Sequence, residues 1–135
     1  MCSSDLNHIG VSDAFHPLSH HNNEQSKMER LTKVQAYHTT VFAKFLDKLN
    51  KMTDGDGTML KHSMFLYGSN MANSNAHNHY PLPTSIVSGW KTIKGGQHIV
   101  PPERTPLANV LLGFLDRAGI PQDKLGNSTG KLVEI

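Results

Sequence analysis

His16-Pro17-Leu18-Ser19-His20-His21 gathers three imidazoles and a hydroxyl in one short stretch, and His77-Asn78-His79 adds a second pair far downstream. Imidazole is the commonest protein ligand for transition metals and the side chain that titrates near neutrality without help, so these groupings suit metal binding or proton transfer. The chain carries nine His in 135 residues, more than general packing needs. His16 and His20, four apart, can share a helical face, whereas the adjacent His20 and His21 diverge. The spacing offers His16 with His20 or His21 as contacts for a metal or an anionic substrate, with Ser19 as hydrogen-bonding partner. The plainer account is an exposed polar loop. No Glu separates the histidines as in the helical H-E-x-x-H zinc site, so that site is not supported.

His77 and His79 alternate along the chain, so an extended backbone projects both to one side. Asn70, Asn73, Asn75 and Asn78 surround them; amides orient anions without titrating, though turn formation explains asparagines equally well. Ser69 lacks the flanking glycines of a G-x-S-x-G elbow, which disfavours a serine-hydrolase triad. His38 falls on an apolar helical stripe and reads as a buried, hydrogen-bonded core residue. Tyr80 and Trp90 read as packing residues.

These groups need elements to aim them. The first 25 residues are polar and aperiodic and read as loop. Ser26-Lys27-Met28-Glu29 fits a capping box. Leu31, Val34, Val41, Phe42, Phe45, Leu46, Leu49 and Met52 then recur at helical spacing, which predicts a helix over 27–51. Asp54-Gly55-Asp56-Gly57 reads as a glycine-rich turn, because a calcium loop begun at Asp54 would put Phe65 where its bidentate Glu belongs. Ser63 to Gly68 and Thr84 to Ser88 are candidate strands, the first apolar enough to be buried on both faces as in a parallel sheet. Thr105 reads as the cap of a second helix with Pro106 at its first position, stopped at Gly119 and Pro121. The tail suggests an edge strand. This alternation predicts an α/β protein with a mostly parallel sheet, its site on the loop after Gly68.

A content of 37% hydrophobic and 18% charged residues fits a globular domain with a real core. The net charge of +2, with dispersed Lys and Arg, gives no basic stripe for nucleic acid. No apolar run approaches the roughly 18 residues that cross a bilayer. Met1 to Leu6 reads as the translation of a sequencing-adaptor end; residues 1–6 are then an artefact and 7–135 a single partial α/β domain, its upstream part and any export signal lost. Cys2, the lone cysteine, falls in that stretch.

The motif His16-Pro17-Leu18-Ser19-His20-His21 resembles that of a bacterial family of uncharacterised proteins named for HxxSHH. The likeness extends to Tyr37-His38, Asp54-Gly55-Asp56-Gly57-Thr58, Leu66-Tyr67-Gly68-Ser69, Asn75 to Pro83, Gly95-Gly96 with His98, Thr105-Pro106-Leu107, Leu115-Asp116-Arg117 and Gly126 to Gly130. The resemblance implies the C-terminal portion of an alkaline-phosphatase-like α/β/α sandwich, remotely akin to the phosphatase and sulfatase superfamily. It also implies an exported, periplasmic or extracellular protein, with the nucleophile in the N-terminal half. Where relatives carry acids, this chain has Asn73, Tyr80 and Asn127, which leaves Asp13 as the acid placed to compensate.

The expectation is a metal-dependent hydrolase of a small-molecule or polysaccharide phosphate or sulfate ester. His16, His21, His77 and His79 would hold a divalent metal (zinc, manganese or calcium), and Ser19, His20 and Asn75 would act in catalysis. The competing expectation is a non-catalytic surface or binding protein with a degenerate site. Both require the two imidazole groupings to share a pocket.

Overall fold

A computed structural model describes residues 3–135, with side chains from Leu6 onward; Met1 and Cys2, part of the stretch expected to be an artefact, lie outside the described residues. The chain divides into two compact units, one of residues 1–60 and 69–83, the other of residues 61–68 and 84–135.

In the first unit, a 3-10 turn, Ser3–Ile9, leads into the short helix α1, Phe15–Ser19, where a loop was expected. Pro17 is tolerated because it falls in the first turn, where a missing N–H leaves no helical bond unmade. Leu18 is buried and its N–H donates to Ala14 O, so one apolar residue in a polar stretch suffices to dock the turn. Helix α2, Gln25–Lys51, agrees closely with the predicted span, but its start is different in kind. Glu24 is the cap residue, its carbonyl taking the Lys27 and Met28 N–H groups. Glu29 accepts from Gln25 instead of closing a box with Ser26.

Leu31 and Val34 pack with Val11 and Leu18, and Leu6 and Ile9 close the rim. Only the first half of α2 enters this core. Past Val34 the stripe is half-buried or exposed, and His38 is exposed, touching the rings of Phe15 and Tyr37, not buried as its position on the stripe predicted. The turn after α2 forms as expected, as a hairpin of β1, Thr53–Asp54, and β2, Gly57–Thr58, with Gly55 at φ +56°. Glycine is the residue that takes this left-handed conformation without steric cost.

In the second unit, β3, Met64–Gly68, and β4, Thr84–Ser88, stand where strands were expected, but they pair antiparallel, Met64 opposite Ser88 and Gly68 opposite Thr84. This overturns the expected α/β/α sandwich with a mostly parallel sheet: the described residues form a small mixed fold of three helices and two separate two-stranded antiparallel hairpins, with no parallel sheet among them. The physical reason lies in residues 69–83. Parallel strands need a crossover, usually a helix, and this segment contains none, so the chain returns directly as a hairpin. The apolar run that suggested burial on both faces is only half-buried.

Helix α3, Leu107–Arg117, starts one residue later than read, with Pro106 as cap, while the Thr105 hydroxyl donates to Pro102 O. Its end is as predicted. Gly119 has φ +76°, its N–H donates to Asp116 O and that of Ile120 to Leu115 O, the paired bonds of a Schellman stop. The tail forms no strand among the described residues. Instead Asn109 on α3 ties it down: its amide donates to Thr129 Oγ1 at 3.1 Å, its Oδ1 accepts from Thr129 N at 2.9 Å, and its carbonyl accepts from Leu132 N. Lys131 bonds Asp116 and holds that carboxyl below the usual carboxylate range.

Candidate functional site

The site lies within the first unit, where α1 and the segment after it meet residues 69–83. Asn73 and Asn78 form an isolated antiparallel bridge. Asn73 Oδ1 also accepts from the N–H groups of Asn75 and Ala76, and Asn78 Oδ1 from that of Asn73. Such local amide-to-backbone bonds shape the loop without help from a sheet.

Two bonds clamp this loop to the HxxSHH segment. Ser74 Oγ donates to Ser19 O at 2.8 Å, and the Asn22 N–H donates to Asn75 Oδ1 at 2.9 Å. Asn22, Asn23 and His77 take positive φ of 50°, 60° and 51°. Asparagine and histidine enter that region more readily than most residues, and such outliers concentrate at functional seams.

The result is a row of rings. His16 meets His20 edge to face at 4.9 Å between centroids, and His20 meets His77 at 4.9 Å in the same manner. His20 is half-buried at the centre, while His16 and His77 are exposed at the ends. The two groupings, far apart in sequence, therefore meet at the contact of His20 with His77.

The other candidates sit differently. His21 is buried, and its Nδ1 accepts from the Asn23 N–H at 3.1 Å, which puts the ring proton on Nε2. No ring contact among the described residues ties it to the row. His79 is exposed, with Nδ1 against Asn70 O at 2.6 Å. A carbonyl can only accept, so Nδ1 is the donor, the kind of bond that orients ligating or basic histidines. Ser19 is buried, its hydroxyl donating to His16 O at 2.7 Å. Ser19 and Asn75 thus hold backbone in place through the atoms expected to do chemistry. His62 and His98 belong to the second unit.

The acids that flank the motif in sequence have partners of their own. Asp13, expected to compensate for missing carboxylates, grips Arg30 through both oxygens, at 2.8 and 3.2 Å. Glu24 pairs with Lys27. Among the described residues, no group of three or more His, Cys, Asp or Glu side chains is arranged to hold a metal ion. Among the described residues no carboxylate forms an ion pair with His16, His20 or His77.

Sequence reasoning missed Ser74 and Asn22, which do the clamping. Only the density of Asn and Ser in both loops hinted at it, and that composition also describes any turn. Comparison with known proteins found no protein family, no curated protein and no solved structure that matches this chain.

Proposed function

We propose that the His16–His20–His77 row is the binding site for a phosphate or sulfate ester in an exported, hydrolase-type protein of the periplasm or cell exterior. The observation that carries this reading is the meeting of His20 with both His16 and His77. Imidazole N–H groups are donors that suit the oxygens of a tetrahedral oxyanion. In this reading His16 and His77 hold the ester oxygens while water attacks the phosphorus or sulfur, and His20 gives its proton to the leaving alkoxide oxygen as that bond breaks.

For a divalent metal, the imidazoles of the row would suit zinc or manganese more than oxygen-seeking calcium. Among the described residues no three or more His, Cys, Asp or Glu side chains are arranged to hold a metal ion, so the row does not fit a metal centre and the proton-transfer role stands without one.

A second reading is a binding protein without turnover. The commitment of the Ser19 hydroxyl to a backbone carbonyl favours it, since no hydroxyl nucleophile is then at hand in the row.

Titration with inorganic phosphate and sulfate, followed by the ring resonances of the histidines, tests both readings, with p-nitrophenyl phosphate and sulfate as turnover probes. Saturable shifts at His16, His20 and His77, with turnover reduced about 100-fold or more in His20→Ala, are expected for the hydrolase. Shifts without turnover support the binding protein. Rings that respond to neither anion overturn the site.

A further inference from the structure

His21 opens a tight turn that joins the HxxSHH motif to α2. The Glu24 N–H donates to His21 O at 2.8 Å, and the two residues between, Asn22 and Asn23, take φ of 50° and 60°. Positive φ at both central positions with that closing bond is the pattern of a type I′ turn, in which asparagine is among the favoured residues. Left-handed backbone still costs energy in an L-residue, so the turn depends on the bonds that hold it. The Asn23 N–H supplies one of them by donating to His21 Nδ1 at 3.1 Å, and the Asn22 N–H another by donating to Asn75 Oδ1 at 2.9 Å.

The bond from Asn23 exists only while His21 is neutral. A neutral imidazole has one accepting nitrogen, and an imidazolium has none, since both of its nitrogens carry protons. A proton arriving at Nδ1 therefore sets one N–H against another. The ring is 8% exposed, so it has little space in which to turn away, and the turn is what gives. No carboxylate among the described residues forms an ion pair with His21 to offset the new charge. The other titratable groups on the motif, the turn and residues 69–83 are His16, His20, Glu24, His77, His79 and Tyr80. Of these Glu24 pairs with Lys27, and Asp13, ahead of α1, pairs with Arg30.

We infer that His21 is a proton-operated latch on the histidine row: neutral, it holds the 21–24 turn closed and Asn22 against Asn75; protonated, it opens the turn, frees Asn75 and parts His20 from His77. Imidazoles exchange their proton between about pH 5 and 8, so the latch is closed at the upper end of that window and open at the lower. The Ser74–Ser19 bond involves no group that titrates there and keeps the loop tethered, which makes the opening local and reversible. The inference uses these contacts alone and does not rest on an anion as ligand.

The test is NMR of the isotope-labelled whole chain across about pH 8 to 5. Protonation is read at the His21 ring nitrogens, the turn at the Asn22 and Asn23 amides, the row at the cross-peak between the His20 and His77 rings, and the core at the Val11 and Val34 methyls. One shared midpoint is expected for His21 protonation, the amide shifts and loss of the cross-peak, while the core methyls stay in place. In His21→Asn the side-chain oxygen can take the Asn23 N–H and gains no proton in this window, so the cross-peak is expected to persist to the acid end. Its loss there at the same pH as in the unsubstituted chain would overturn the latch and assign the opening to repulsion among the row's own imidazolium rings. Should that variant not fold, the unsubstituted chain decides alone. A cross-peak that outlasts His21 protonation, a His21 that stays neutral throughout, or core methyls that move with the turn would each overturn the inference.

Discussion

Leu18→Ala is expected to cost about 2–5 kcal/mol of stability in urea denaturation, the usual range for truncating a buried leucine. Leu18 is 2% exposed and meets Val11, Leu31 and Val34 in a core of few residues, so neighbours have little freedom to collapse into the space. The effect reaches the site because Leu18 sits between the two ends of the motif. Helix α1 is five residues long and cannot persist on its own hydrogen bonds. Docking by Leu18 fixes the turn that places His16 one turn from His20, so its loss should also separate those rings. Phe15→Ala on the same helix is the control: at 41% exposure it is expected to cost less, about 1 kcal/mol. Equal effects of the two substitutions would mean that this core does not hold α1.

Gly113→Ala is expected to destabilise the second unit by about 1–3 kcal/mol, the range for overpacking a tight contact. Elsewhere in a helix the same change would help by about 1 kcal/mol, since alanine is the better helix former. Here a Cβ would stand 2.8 Å from Leu132 O and 2.8 Å from Ile135 Cδ1. The isoleucine can turn away, but the carbonyl is backbone in a tail already tied to Asn109 and, through Ile135 O, to Arg117 at 2.7 Å. The clash therefore outweighs the propensity gain. Thermal and urea unfolding of Gly113→Ala check the sign, and a stabilised variant would show that the tail does not rest on α3.

Both substitutions concern packing that the sequence expressed only in part. Helices α2 and α3 were legible because their apolar residues recur at a spacing that no strand shares, and Gly119 marks a stop through a conformation other residues avoid. Strand positions were legible from the same logic, but strand direction was not. Met64 to Tyr67 is as apolar as a buried parallel strand, and what decides direction is whether the connection carries a helix, which the Asn-rich residues 69–83 cannot supply. Helix α1 escaped notice because one leucine docks it, too little for any periodic signal. His38 misled for the opposite reason: the stripe runs the length of α2, while the core covers only its first half.

The candidate site was legible as composition and not as contact. Two histidine groupings invited the expectation of a shared pocket, and the row through His20 is where they meet. Which imidazoles join was beyond reach, because adjacent His20 and His21 differ only in direction: one faces His77, the other is buried against Asn23. Expected roles for Ser19 and Asn75 rested on what their side chains can do in general. Each has a nearer partner in the backbone, and a local bond of that kind costs little chain entropy to form.

The most direct measurement is through-space contact between histidine ring protons in the isotope-labelled chain. Cross-peaks linking His16 to His20 and His20 to His77 are predicted, with His77 shifted in Ser74→Ala because the clamp on Ser19 is then lost. A His20 ring that shows contact with His16 but none with His77, under conditions where the chain is folded, would contradict the common site.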